Sequence, residues 1–240
     1  MEDACQAVGS SYNGKFCGTI GDIGAFSFNF FKIISCGEGG GVITNNQKLY
    51  ERSCIYHVAS AIAFFGEQMK DFSEQGFCGT EYRGNELLAA VMRCQIQKLD
   101  GIIADLRRVK KEILSLLDGR LPLAPDNDAD GDTGNLIAFR FETQEEAQAF
   151  NAKIGGMIPL ECDRHVYVSW TPIMEKRGAL HPLMDPFRMP ANQGLRHNYT
   201  PDMCPQSLEH LGRTVYLFLH PDWDKAEIEK QAQKLLSACN

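Results

Sequence analysis

The chain has no run of apolar residues approaching the ~20 needed to cross a bilayer as a helix, so no helical membrane span is expected. Positive charge is scarce as well: 24 Lys+Arg stand against 31 Asp+Glu, a formal net charge of -7. That balance lacks the basic footprint that attracts a phosphate backbone, and nucleic acid is not an expected partner. Nine cysteines are present, yet no CxxC pair occurs among Cys5, Cys17, Cys36, Cys54, Cys78, Cys94, Cys162, Cys204 and Cys239. They read as scattered thiols rather than a disulfide framework or a zinc site. His57, His165, His181, His197, His210 and His220 form no HExxH or HxxxH pair, so no metal site is expected. Residues Met1 to Ala4 have neither a positive stretch nor an apolar signal core, which leads to the expectation of a cytoplasmic protein. Internal repeats and low-complexity tracts are absent too.

What is present is an ordinary globular composition over 240 residues, 44% hydrophobic and 23% charged, enough to bury one large domain or two modest ones. The first 45 residues are dense in glycine and aromatics, which predicts short strands joined by tight turns. From about Asn85 to Leu117, Leu87, Val91, Cys94, Ile102, Leu106, Val109, Ile113 and Leu116 recur at steps of mostly three and four. This spacing predicts one long helix, weakened at Gly101. The acidic stretch from Pro122 to Gly134 is a loop and a candidate lobe boundary. Beyond it, strands are expected at Leu136–Phe141, Val166–Trp170 and Val215–Leu219. Capping patterns at Thr143–Glu146 and Asp224–Glu227 should each open a helix. Residues 171–214 carry six prolines and should hold little regular structure. Asn198–Thr200 is an N-x-T triplet read as chance.

Gly37-Glu38-Gly39-Gly40-Gly41-Val42 lacks the last glycine of GxGxxG, and no Gly-Lys-Ser/Thr follows, so neither a dinucleotide fingerprint nor a P-loop is supported. A larger unit is informative: Glu2-Asp3-Ala4-Cys5-Gln6, then Gly21-Asp22-Ile23-Gly24-Ala25-Phe26-Ser27-Phe28, then Lys32, then Gly37 through Thr44. Its order and spacing resemble the DegT/DnrJ/EryC1/StrS aminotransferases, whose pattern runs EDxAQ, GDxGxFSFxxxK, GxGGxxxT. Looser agreement resumes at Tyr82-Arg83-Gly84-Asn85-Glu86-Leu87 and at Leu217 to Pro221.

The resemblance implies an α/β protein of the PLP-dependent transferase fold type I, aspartate-aminotransferase-like. Residues 1–120 would be part of the large cofactor-binding domain with its connecting helix, and 121–240 a smaller C-terminal α/β domain. It further implies pyridoxal 5'-phosphate as cofactor, with Lys32 as the Schiff-base lysine and proton shuttle. Asp3 would stabilise the protonated ring nitrogen, Gln6 would lie near the phenolic oxygen, and Ser27 would donate to the phosphate. Arg83 would reach cofactor and substrate across a homodimer interface. The implied reaction moves an amino group from an amino acid, glutamate in the first instance, to a keto-sugar that is often nucleotide-linked. Taken singly, Lys32 would be a snorkelling surface lysine, Asp3 a cap and Ser27 a turn hydroxyl; only the joint pattern reverses those readings. Phe26, Phe28, Phe30 and Phe31 read as packing residues rather than a cofactor box.

Two departures qualify the resemblance. Family members carry a substantial segment of the large domain before EDxAQ, so this chain is expected to begin within a domain and to leave apolar surface uncovered. Glu81 stands where the family has asparagine, and a carboxylate there must be paired or protonated to lie near a phosphate. The alternative is therefore a non-catalytic remnant, or a subunit that depends on a partner. A dehydratase, in which histidine replaces the lysine, is disfavoured by Lys32 itself.

Overall fold

The computed structural model describes residues 1–58, 66–67, 69–162, 166–195 and 198–239. The glycines at every third position build the start of the fold. Gly18 takes φ +88°, where a side chain would also overlap the Phe26 ring, and a β-carbon on Gly24 would meet the Gly18 carbonyl. Only glycine permits that close folding-back of the chain. Out of this turn runs β4 (Gly24–Ser27), the central strand of three, flanked by β1 (Glu2–Asp3) and β5 (Gly40–Ile43). β1 pairs with β4 in parallel, Asp3 opposite Ala25. β5 pairs with it antiparallel, Ser27 opposite Gly40. Between them in sequence lies a hairpin of β2 (Ser11–Tyr12) and β3 (Lys15–Phe16).

These elements belong to the first of two compact units, which comprises Met1–Val109, Asp126–Asn135 and His220–Asp222. It also holds α1 (Gln47–His57) and α2 (Glu86–Ile96), capped by the side chains of Asn46 and Asn85. α3 (Leu99–Leu117) contributes its residues up to Val109. A small core of Ile34, Cys36 and Met92 is packed by Val8, Phe28, Leu88, Leu99 and Ile102.

The stretch 85–117 is thus two helices, not the single one the spacing predicts. The break falls at Gln97–Lys98 rather than at Gly101, with Lys98 N–H turning back to the Gln95 carbonyl at 3.0 Å. A short-range bond of this kind tightens and ends a helix. The break also resets the phase. In α2 the inward residues are Leu88 and Met92, while Leu87 is 78% exposed and Val91 45%. In α3 Leu106, Val109 and Ile113 of the expected stripe are buried, whereas Leu116 is exposed and Leu117 is buried in its place.

The second unit comprises Lys110–Pro125, Leu136–Leu219 and Trp223–Asn240. β6 (Leu136–Arg140) and β7 (Thr214–Phe218) form an antiparallel pair. Against it packs α4 (Gln144–Ile154), opened by a complete Thr143/Glu146 capping box, and α7 (Lys225–Ala238), capped by Asp224, packs on α4. Phe139, Val215, Phe150, Ile228 and Leu235 are buried there, and the Phe139 and Phe150 rings meet edge-on at 5.3 Å. One further expectation fails. Val166–Trp170 is not a strand: Tyr167–Ser169 forms a 3-10 turn in which Tyr167 Oη donates to Pro201 O at 2.7 Å. The proline-rich stretch also contains two helices, the single turn α5 (Thr171–Met174) and α6 (Pro205–Gly212). In both, proline occupies the first turn, where its missing N–H costs nothing. His165 and His197 lie outside the described residues.

Candidate active site

Side chains on a strand alternate between faces, and directly paired residues of neighbouring strands share a face. Asp3 is paired with Ala25, so Asp3 lies on the face of the sheet that also carries Ala25 and, two residues on, Ser27. The chain leaving Ser27 is then cinched into a loop. The Phe28 carbonyl accepts from Cys36 N–H at 3.1 Å and from Ser35 Oγ at 3.3 Å, and Phe28 N–H donates to Gly39 O at 2.8 Å. Inside the loop, Asn29 Oδ1 accepts from Phe31 N–H and the Asn29 carbonyl accepts from Lys32 N–H, both at 3.1 Å. This is the local asparagine turn that competes with regular structure. Lys32 follows that turn and stands two residues before Ile34, whose burial in the small core ties the loop down. Lys32 is half-buried while Phe30 and Phe31 beside it are exposed.

The Asp3 carboxyl sits below the usual carboxylate range. The Cys5 thiol is the largest cause, then the Cys5 backbone N–H, which donates to Asp3 Oδ1 at 3.1 Å, and then the positive charge of Lys32. The Cys5 thiol moves the other way, raised by hydrogen bonding to Asp3, by burial and by the Asp3 charge, with Lys32 opposing. Its sulfur also lies 3.7 Å from the Ala25 carbonyl. A carboxylate, a thiol and an amine thus form one electrostatically coupled group. Ser27 Oγ, half-buried at the end of β4, accepts from Asn29 N–H at 3.4 Å.

Gln6 is exposed in the turn that follows Asp3, where Ala7 N–H donates to Ala4 O. Arg83 is placed by other elements. Its segment is fastened to the C-terminal end of α1 by Thr80 N–H to Tyr56 O and Tyr82 N–H to His57 O, each 2.8 Å. Glu81 Oε1 accepts from the Arg83 backbone N–H at 3.4 Å, which gives the departing carboxylate a local partner. The site therefore has Asp3 and Ser27 on one face of the sheet and Lys32 in the loop leaving β4, with Gln6 near Asp3 in sequence and Arg83 on a separate strap.

Two residues of this region escaped the sequence reading. Cys5 stands where the family pattern has alanine. Glu2, beside Asp3, turns its carboxylate into the glycine turn at 18–21; the clue was that same run of glycines, whose backbone N–H groups no side chain shields.

The donor set suits pyridoxal phosphate: an amine that can join a carbonyl, a carboxylate held ionised for a cationic ring nitrogen, and a hydroxyl for a phosphate oxygen. Among the described residues there is no group of His, Cys, Asp and Glu able to hold a metal ion, and no helix long and apolar enough to cross a membrane.

Known proteins resemble this chain in sequence and in fold. The model of the DegT/DnrJ/EryC1/StrS aminotransferase family matches residues 1–156. GDP-perosamine synthase of Escherichia coli O157:H7 is 37% identical over 121 residues, 49% of this chain and 32% of that protein. The L-glutamine:2-deoxy-scyllo-inosose aminotransferase of Streptoalloteichus tenebrarius is 28% identical over 200 residues, 75% of this chain and 46% of its own length. Among solved structures, the E. coli GDP-4-keto-6-deoxy-D-mannose-3-dehydratase with bound hydrated PLP superposes with a TM-score of 0.67 at 18% identity, over 97% of this chain and 59% of that one. The likeness shows the fold, a part of the fold type I architecture of PLP-dependent transferases. The chain spans about a third to a half of these curated relatives.

Proposed function

The chain belongs to the DegT/DnrJ/EryC1/StrS aminotransferase family, and from that premise we propose that it carries the cofactor-holding half of a PLP-dependent sugar aminotransferase, with Lys32 as the residue that bears the cofactor. One observation carries the reading: Asp3 and Ser27 share one face of the paired strands β1 and β4, and the cinched loop that bears Lys32 leaves directly from Ser27. Pyridoxal phosphate, when bound, supplies an electron-withdrawing ring that accepts the electron pair left as a substrate carbon loses its proton. The rest falls to the protein. Asp3 would hold a proton at the ring nitrogen, Ser27 would donate to the phosphate, and Gln6 would serve the phenolic oxygen. The Lys32 amine takes a proton from the carbon bearing nitrogen and returns it. Arg83 supplies a cation to cofactor or substrate, across the interface of a homodimer.

The proposed donor is glutamate or its amide, the latter in keeping with the name of one relative, and the acceptor a keto-sugar or keto-cyclitol. The proposed division of labour gives residues 1–120 to the cofactor and 121–240 to the small domain, in a cytoplasmic enzyme. A second reading, a non-catalytic or partner-dependent module, is supported by the exposed Val42, Ile43, Leu87 and Val91.

The test is direct. The chain is mixed with pyridoxal phosphate, reduced with borohydride, digested and mapped by mass. The cofactor mass should fall on the Lys32 peptide, and Lys32→Ala should lose both the label and the visible absorbance of the bound cofactor. Label on other lysines, or an unchanged spectrum in Lys32→Ala, rejects the assignment. Labelling of Lys32 with no turnover of any keto-sugar supports the second reading.

A further inference from the structure

The Glu2 side chain is held in a way that the proposed chemistry leaves unexplained. Its Oε2 accepts from Gly18 N–H at 2.8 Å, and its Oε1 accepts from Ile20 N–H at 2.7 Å and Gly21 N–H at 2.6 Å. Three backbone donors within four residues converge on one carboxylate, a concave arrangement of the kind that ordinarily binds an external anion. Here the anion is internal. The same residue's backbone N–H donates to Ile23 O at 2.8 Å, so Glu2 grips the turn through side chain and main chain together.

What this grip controls follows from the topology. β1 is only two residues long, Glu2 and Asp3, so its backbone ladder to β4 is short. Hydrogen bonds to a charged group are roughly twice as strong as neutral ones, so the three at Glu2 outweigh a ladder of that length. The turn they hold, residues 18–21, leads directly into β4, which carries Ser27 and then the loop bearing Lys32. Asp3 is the next residue after Glu2 and points to the opposite face. The height of Asp3 relative to Ser27 and Lys32 is therefore set where Glu2 meets Gly18, Ile20 and Gly21.

Resting on the assignment of Lys32, we propose that Glu2 is the positioning residue of this site: its carboxylate locks β1 against the glycine turn and so fixes the distance from Asp3 to a cofactor held on Lys32. Glu2 does not touch that cofactor and acts only through Asp3. Glutamine is the informative substitution, because it keeps the shape but must aim its NH2 group at a backbone N–H, donor against donor.

The experiment uses the full chain and its Glu2→Gln, Glu2→Asp and Lys32→Ala variants, each checked for folding by circular dichroism and titrated with pyridoxal phosphate. Two quantities are read, the dissociation constant and the pH midpoint of the bound cofactor's visible absorbance. Glu2→Gln should bind about tenfold more weakly, the effect of losing one hydrogen bond to a charged group, and should shift the pH midpoint. Glu2→Asp, which keeps the charge on a shorter arm, should fall between it and the unsubstituted chain. A residue that merely stabilised the fold would leave the midpoint of the loaded fraction where it was. Folded Glu2→Gln with unchanged affinity and midpoint, beside an unsubstituted chain that labels at Lys32, overturns the positioning role and leaves the Lys32 assignment standing. Loss of fold in both Glu2 variants overturns it too, by making Glu2 purely structural. Failure of the unsubstituted chain to label at Lys32 overturns the assignment itself and the inference with it.

Discussion

Glu51 Oε2 accepts from both the backbone N–H of Ser73, at 2.9 Å, and its hydroxyl, at 3.0 Å, across 22 residues of chain. The same oxygen takes Glu74 N–H at 2.9 Å, and Gln47 Nε2 donates to Oε1 at 2.9 Å. Glu51 is 1% exposed, a buried charge stabilised because every donor around it is aimed at it. It thereby fastens to α1 the start of the strap that ends in Arg83.

Replacing Glu51 with glutamine should loosen that strap, because the amide NH2 must oppose one of four donors. The expected outcome is faster amide hydrogen exchange at Ser73 and Glu74, with α4 and α7 of the second unit unaffected. Unchanged protection at Ser73 would mean that the strap is held from its other end alone, by the Tyr56 and His57 carbonyls.

Acid should weaken the first unit through the same group. The Glu51 carboxyl is held below the usual range by the Gln47 amide first, then by the Glu74 N–H and by Ser73. Glu2 is lowered by the N–H groups of Gly21, Gly18 and Ile20. For a carboxylate lowered in the folded state, the unfolded chain binds protons first as pH falls. The stabilisation is fully present above the unfolded value of about 4.3 and disappears as pH drops through the lower folded values. Melting temperature should thus be level from neutral pH to about pH 5 and fall below it. Glu51→Gln, melting lower at neutral pH, should show a shallower fall; parallel curves would remove Glu51 as a source of the acid sensitivity.

What could be read from the residues, and what could not, divides along physical lines. The capping box at Thr143 and Glu146 and the cap at Asp224 were legible because such signals act within one turn of chain, and both helices start where they predict. Short strands joined by tight turns were legible in the glycine- and aromatic-rich first 45 residues, and β4 is one of them. The phase of α2 was not. Leu87 and Val91 are as apolar as Leu88 and Met92, and only packing against Ile34 and Cys36 decides which pair turns inward. Val166–Trp170 has strand composition, but among the described residues no strand pairs with it, and Tyr167–Ser169 forms a 3-10 turn. At the site, Lys32, Asp3 and Ser27 were legible as a motif. Glu2 and Cys5 were not, because their roles depend on which backbone donors and acceptors the fold brings to them.

The second unit offers a stability test independent of the site. Phe139 is fully buried and meets Phe150 edge-on, so Phe139→Ala should cost about 3–5 kcal/mol. Thr143→Ala removes a cap and should cost about 1 kcal/mol. Denaturant melts should separate the two by midpoint, and equal losses would show that the Phe139 cavity collapses on truncation.

Cys5 should react more slowly than the exposed thiols Cys78 and Cys94. The thiolate is the form that attacks an alkylating agent, so a raised pKa lowers reactivity at a given pH, and partial burial lowers it further. Hydrogen bonding to Asp3, burial and the Asp3 charge raise the Cys5 thiol, whereas Cys78 and Cys94 are exposed. At neutral pH, iodoacetamide followed by peptide mapping should label Cys78 and Cys94 well before Cys5. Asp3→Asn removes the negative charge and the charged acceptor while keeping the side-chain shape, so Lys32, which opposes the rise, would act on the thiol alone. Cys5 alkylation should accelerate in that variant while the rates at Cys78 and Cys94 stay fixed. The coupling also runs in the other direction. Cys5→Ala, the residue of the family pattern, deletes the largest influence holding the Asp3 carboxyl down, so Asp3 should take up its proton at a higher pH. Cofactor loading on Lys32 should then fail at a higher pH during acidification than it does with cysteine in place. Cys5→Ser, which restores a hydroxyl donor, should recover most of the difference, and identical acid limits in all three proteins would show that the thiol has no influence on Asp3.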